Sequence, residues 1–303
     1  MPEGRQIPHH GEAIVLRTWP FHEADLLVSL FTREQGRVKG VARHAMKSRK
    51  RFGGALEPAT HVRAHYTERP RQDLVRLDSF EILWSPLSAS VDALRLAGMQ
   101  LVVEVLEEAM PELAVEDNVF RLAITVLAAM EPPHTSGWPI QLTKPGWPIH
   151  DDSPGSPASV LGSQGWRFIV GMSGEPQPPV PLPSRPSVYL PVTYFCLWMN
   201  RLMGWWPELG HCAACGLDLR GEQVWWSPTA DGVTCKDDRR PGSRALSAES
   251  VAESYRIART SLAELAGEDW PEKRAADLRA FAVGVLERHL ERRIRSAAML
   301  VSP

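Results

Sequence analysis

Cysteine is scarce, with 4 in 303 residues. That is too few for a disulfide scaffold, and it leads us to expect the reducing cytosol. No run of 18 apolar residues occurs, so no membrane-spanning helix is expected. The opening MPEGRQIPHHGEAIVLRTWP lacks a continuous apolar stretch behind a basic start and does not read as a signal peptide. Neither charge sign is in excess: 34 basic and 36 acidic side chains give a formal charge of -2, which excludes a globally basic coat. Signatures of catalysis are missing as well. There is no Gly-x-x-x-x-Gly-Lys loop and no Gly-x-Ser-x-Gly elbow. His22-Glu23 opens like a zinc-protease motif, but position 26 is Leu where the second His ligand should stand. The scattered carboxylates between 91 and 118 read as a solvated helix face rather than an acid/base pair, which needs a cleft.

What is present divides the chain. Apolar residues make up 44%, enough for a sizeable core in two or three domains. Residues 1–84 carry a net charge of +4, and residues 88–133 a net of -6. Such asymmetry points to separate domains with different partners. Five short β-rich runs fill the first part: EAIVLRT, ADLLVSLFT, RVKGVA, THVRAHYT and, after Arg69-Pro70, DLVRLDSFEIL. Glycine and proline punctuate them, as in a small closed sheet or barrel. In EAIVLRT, Ile14 and Leu16 fall on one side, Val15 and Arg17 on the other. The period then changes. Val91, Leu94, Gly98, Leu101 and Val105 are helically spaced, and Val119, Leu122, Val126 and Ala129 mark a second helix after Pro111.

Residues 131–191 hold 14 of the 26 prolines and repeat Gly-Trp-Pro-Ile. We read them as an inserted, irregular segment, with Trp138, Trp147 and Trp166 docked or exposed on its surface. Helical character returns over 193–206, a cysteine-bearing loop spans 211–240, and helices follow near 247–266 and 271–299. Ser247 has the character of an N-cap and Pro271 of an early helical residue.

Three clusters could carry function. The first is basic: Arg37, Lys39, Arg43, Lys47, Arg49, Lys50 and Arg51 follow one another with no acid among them. A flexible basic loop between barrel strands can follow a phosphate backbone without reading bases. The competing reading is a solvated loop that binds nothing. Phe52, Tyr66 and Trp84 could offer stacking faces, but barrel core suits them better. The second cluster is Cys212-Ala-Ala-Cys215-Gly with Cys235 beyond it. Cys-x-x-Cys-Gly is a metal knuckle in which Gly216 permits the tight turn. The second knuckle offers Asp238 where a fourth Cys would stand, and His211 is a substitute with awkward geometry. Three thiolates and a carboxylate can hold Zn²⁺; a decayed, metal-free site is the alternative. Cys196 reads as a buried small apolar residue. The third cluster is Arg288, Arg292 and Arg295, one narrow sector of the expected final helix. It is either a second phosphate-contacting surface or a face laced with Glu287 and Glu291.

In their order, these features resemble the RecO family of recombination mediators. The stretch AIVLRTWPFHEADLLVSLFTREQGRVKGVARHAMKSRKRFGGALEP carries most of the likeness, with LMGWWPELGHCAACG and HLERRIRSAAML in support. Residues 131–191 share none of it. The resemblance implies an α+β multidomain fold: an N-terminal OB-fold β-barrel over 1–86, then an all-α helical bundle over 87–130, 192–210 and 243–303. A zinc-ribbon-like knuckle at 211–242 would be inserted in that bundle. It further implies a non-enzymatic mediator in the RecFOR pathway, cytoplasmic and nucleoid-associated. Such a protein binds single- and double-stranded DNA, anneals complementary strands, and works with RecR and single-stranded-DNA-binding protein to load RecA. The basic residues from Arg37 to Arg51 match its DNA-contacting region, and Cys212, Cys215 and Cys235 match three of its four zinc ligands. Asp238 departs from that pattern. The alternative is a protein-interaction adaptor built on the acidic helices and the insert, with only incidental DNA binding; a zinc enzyme acting on nucleic acid is a more distant third.

Overall fold

The computed structural model describes residues 6–68, 72–86, 92–131 and 187–300. The proline- and tryptophan-rich stretch with Trp138, Trp147 and Trp166, the Arg69-Pro70 break and Val91 lie outside them. The fold is α+β.

Five strands close a barrel in the order β1-β2-β3-β5-β4: β1 (Ile7–Pro20), β2 (Leu26–Thr32), β3 (Gly36–Ala42), β4 (His61–Glu68) and β5 (Val75–Trp84). The long β1 serves two neighbours. Its first half pairs with β4 from Ile7 to Ile14, and its second half pairs with β2 from Ala13 to Pro20. The register slips between Val15 and Arg17. The extra residue bends the strand and sharpens its twist, which lets one strand pass from one partner to the other. A short parallel contact, Gly40–Ala42 with Val75–Leu77, completes the ring.

Alternation fills both sides of this barrel wall. Ala13 and Val15 point into the barrel with Val28, Leu30, Tyr66 and Leu77. Between β3 and β4, a 3-10 turn (Ala45–Lys47) and the one-turn helix α1 (Arg49–Phe52) cap one end. Phe52 plugs the interior, edge-on to Phe80 at 5.5 Å. The basic stretch is therefore a folded cap rather than the flexible loop expected. Ile14, Leu16 and Phe31 point outward, yet they are buried in the core of the helical part. Phe31 meets Phe120 at 5.8 Å. Phe52, Tyr66 and Trp84 are all core residues.

The helices are α2 (Ala93–Ala109), α3 (Asp117–Ala129), α4 (Tyr189–Leu202), α5 (Ala248–Ile257), α6 (Leu262–Leu265) and α7 (Ala276–His289), with a terminal 3-10 helix, Arg295–Leu300. Asp92 caps α2 by accepting the Arg95 N–H at 2.9 Å. Ser247 caps α5 as its sequence suggests, accepting the Ser250 N–H at 3.2 Å. Three helical boundaries differ from expectation. α4 starts at Tyr189, because Pro191 in a first turn loses no hydrogen bond. The 247–266 helix breaks after Ile257 and restarts at α6 under a Ser261–Glu264 capping box. The helix expected over 271–299 starts only at Ala276, behind a turn that holds Pro271, and stops at His289. Glu291 is left-handed (φ 54°), and the Glu287 carboxylate takes the Ile294 N–H at 2.9 Å.

The cysteine-bearing segment sits between α4 and α5. Its small sheet pairs β6 (Val224–Trp226) with β7 (Arg244–Leu246). Trp226 anchors it to α7, 5.2 Å from the Phe281 ring. No helix among the described residues is long and apolar enough to cross a membrane.

Candidate nucleic-acid interface and metal centre

The acidic face of α2 meets the barrel. The Glu107 carboxylate, 11% exposed, accepts from the Ser29 hydroxyl at 2.5 Å and from Arg37 at 3.3 Å. Arg37 Nε donates to the Met110 carbonyl at 2.8 Å, and its other nitrogen reaches Glu112 at 3.4 Å. Lys39 Nζ lies 2.8 Å from Glu112. The bond from Lys39 holds the Glu112 carboxyl below its ordinary range. One turn earlier on α2, Glu104 accepts the N–H groups of Arg295 and Ser296 at 2.8 and 2.9 Å, and also the Ser296 hydroxyl. Burial disfavours its charge, but these donors prevail and the carboxyl is held below its ordinary range. Glu108 pairs with Arg292. Four carboxylates expected on a solvated face thus form a seam: Glu107 and Glu112 meet the basic barrel segment, and Glu104 and Glu108 meet residues 292–296.

This seam divides the basic run. Arg37 and Lys39 are consumed by it. Beyond β3, Arg43, Lys47 and Lys50 are exposed on the cap and form no ion pair among the described residues. Arg49 opens α1. Arg51 lies over the Phe52 ring at 5.1 Å and donates to Ser48 Oγ and the Arg43 carbonyl. The cap thus keeps its cations together without acids between them.

The carboxyl-terminal arginines do not form one helical sector, because α7 ends before two of them. Arg288 pairs with Asp231 at 2.6 Å, Arg292 with Glu108, and the Arg295 side chain is exposed.

Cys212, Cys215, Cys235 and Asp238 do converge: their ligand atoms lie within 4.8 Å of one another. Cys215 and Cys235 sulfurs are 3.9 Å apart. The Asp238 carboxylate is 3.3 Å from Cys212 Sγ and 3.1 Å from Cys235 Sγ. A tetrahedral Zn²⁺ with bonds of about 2.3 Å to sulfur and about 2.0 Å to oxygen needs edges of roughly 3.8 and 3.5 Å. The donor set fits that ion. The turn expected at the first knuckle is present: Gly216 is left-handed (φ 75°) and its N–H returns to the Cys212 carbonyl at 2.9 Å. The donors share protons. The bond to Asp238 pushes the Cys215 thiol up to about 12, and the carboxyl is correspondingly lowered. His211 is no substitute ligand, since it turns to Glu208 at 2.7 Å. Buried Cys196 plays no part, its thiol pushed up to about 12 by burial.

One feature carries no sequence motif. Phe21, at the tip joining β1 and β2, is 42% exposed, and Met46 on the cap is 65% exposed. Each is a single apolar residue in a loop; only the fold puts them on the rim that bears the free cations.

Two family models match the chain: Recombination protein O N terminal over residues 7–86, and Recombination protein O C terminal over residues 182–298. The first spans the barrel, and the second spans α4, the cysteine cluster and the last helices. The chain is 41% identical over 290 residues to the DNA repair protein RecO of Koribacter versatilis, covering 96% of this chain and 97% of that one. It is 26% identical over 289 residues to that of Anaeromyxobacter sp. strain K, covering 95% and 93%, and 27% identical over 301 residues to that of Nocardioides sp., covering 96% and 98%. A kinship that runs almost end to end, through barrel and helices alike, makes this chain a member of the RecO family of DNA repair and recombination proteins.

Proposed function

We propose that this protein is a non-enzymatic DNA mediator: it binds single- and double-stranded DNA by phosphate contact, anneals complementary strands, and helps load RecA onto strands coated with single-stranded-DNA-binding protein, in partnership with that protein and RecR. In this reading the barrel is an OB-fold, and the cysteine cluster holds one Zn²⁺ in a zinc-ribbon-like element that fixes the module on α7. The ion would supply structure, not chemistry.

The observation that carries the proposal is the cap: exposed Arg43, Lys47 and Lys50 without acidic partners among the described residues. Each phosphate neutralised there releases counterions, so binding is strong in dilute salt and indifferent to sequence. Base edges stay free to pair. Two strands held on neighbouring molecules meet at raised effective concentration, which favours annealing without bond chemistry. A second contact at the carboxyl end reduces to Arg295, because Arg288 and Arg292 are ion-paired. Of the two surfaces behind the adaptor reading, the acidic helices have Glu104, Glu107, Glu108 and Glu112 already bonded within the molecule, and the insert lies outside the described residues.

The test is oligonucleotide binding across a salt series, followed by annealing of coated complementary strands. The wild type should show a steep salt slope and accelerate annealing. The Arg43→Ala/Lys47→Ala/Lys50→Ala variant should do neither to the same degree. A slope near zero for the wild type refutes phosphate contact.

A further inference from the structure

We infer that Phe21 is a base-stacking residue: the cleft at the barrel rim, between the β1–β2 tip and the start of β5, takes an unpaired base of a strand whose phosphates lie on the basic cap. This deepens the DNA-binding reading above and rests on it.

The cleft has a volume of about 530 Å³ and is lined by Phe21, His22, Arg43, His44, Leu74 and Arg76, among others. The Phe21 ring stands tilted against the His22 ring at 4.3 Å. A lone exposed apolar side chain is ordinary on any surface. Here two of them, Phe21 and Met46, share one rim with three uncompensated cations. Cations that track a backbone beside aromatic faces that receive bases are the two parts of a single-strand platform.

The charge within the cleft agrees with this division of labour. Asp25 and Asp73 line it, and Arg76 is neutralised by Asp78 at 2.7 Å. Among the described lining residues, Arg43 is the one arginine or lysine without an ion pair. The cleft therefore offers phosphates little of its own; what it offers is an aromatic face next to a cationic one.

The arrangement is built rather than loose. The Phe21 N–H donates to the Asp25 carbonyl at 3.1 Å, closing the tip. Two further bonds stitch that tip to the cap: the His44 N–H to the Asp25 carboxylate at 2.7 Å, and the Met46 N–H to the Ala24 carbonyl at 3.3 Å. The aromatic ring and the cations thus keep a fixed spacing before any strand arrives, which lowers the entropy lost on binding.

The experiment measures anisotropy of labelled oligothymidylate, the same backbone without bases, and a duplex, with the full chain over a salt series. Variants are Phe21→Ala, Phe21→Leu and Phe21→Tyr. Loss of one stacked base predicts that Phe21→Ala weakens oligothymidylate binding by about 5- to 100-fold with the salt slope unchanged. Phe21→Leu should lose most of the same affinity, and Phe21→Tyr should stay near wild type. None should alter binding to the abasic strand or the duplex. If Phe21→Ala binds oligothymidylate like wild type while the slope stays steep, the stacking inference falls and phosphate contact stands. If it weakens the abasic strand equally, the ring merely shapes the loop and the inference also falls. A wild type that ignores every probe sinks both readings.

Discussion

Arg37 belongs to the same basic run as Lys50, yet the two should behave oppositely when replaced. Arg37 is 14% exposed and bonded to Glu107, Glu112 and the Met110 carbonyl. Removing one partner of a buried pair costs about 3–5 kcal/mol. The residue's neighbours soften that figure: Glu107 keeps the Ser29 hydroxyl, and Glu112 keeps Lys39. Arg37→Ala should therefore destabilise by about 2–4 kcal/mol, visible as a lowered urea midpoint in tryptophan fluorescence, with a coupling of about 1 kcal/mol or more to Glu107→Ala in a double-mutant cycle. Its salt slope for single-stranded DNA should not change. Arg43→Ala/Lys47→Ala/Lys50→Ala should do the reverse. Three lost phosphate contacts at about 0.7 each remove roughly 2 from the slope, or about 100-fold in affinity at 0.1 M salt against a 1 M reference. Its urea midpoint should stay put. If Arg37→Ala instead takes about 0.7 off the slope and leaves the midpoint alone, the seam is not what holds it, and the division of the basic run is wrong.

Three further outcomes are expected. Gly36→Ala should cost about 2–5 kcal/mol by thermal or urea unfolding, because Gly36 has φ 70° and a Cβ would sit 2.0 Å from the Ala114 carbonyl oxygen. Cys235→Ser should abolish stoichiometric zinc in metal analysis of the purified protein, and Asp238→Asn should weaken retention against a chelator; a full equivalent held by both would remove the four-donor site. Finally, Glu104 and Asp277 should make stability fall in acid. Burial works against the Asp277 charge, yet the Ser250 hydroxyl and the Ser247 N–H hold its carboxyl below the ordinary value, as Ser296 does for Glu104. Groups so depressed contribute stability above about pH 4, and lose it as pH falls through their folded values. In urea melts below pH 4.5, Asp277→Asn should flatten the pH dependence; an unchanged slope would refute its part.

Much of this was legible in the residues. Alternation and Gly/Pro punctuation located all five barrel strands, since a half-buried strand writes its faces into every second position. The Cys-x-x-Cys-Gly knuckle, Asp238 and the Ser247 cap were legible because each is local chemistry. The acidic seam was not. A carboxylate on an amphipathic helix looks the same whether it faces water or Arg37, and only the barrel's docking decides. The end of α7 was hidden for a similar reason: apolar spacing runs on past His289, while the stop comes from left-handed Glu291 and the Glu287 bond to Ile294. Phe21 had no signal at all, being one apolar residue in a hairpin tip.

The outward flank of the barrel, Ile14, Leu16 and Phe31, is covered by helices that reach the ribosome exit later. Its cover, α2, is in turn clasped by Arg292 and Ser296, which are made long after Trp84. At roughly 5–20 residues per second, a nascent barrel completed at Trp84 waits on the order of 10 to 40 s for that clasp. Throughout that interval it presents an oily side to the cell, and a chain cut short before the clasp would keep that side permanently, as prey for chaperones and proteases.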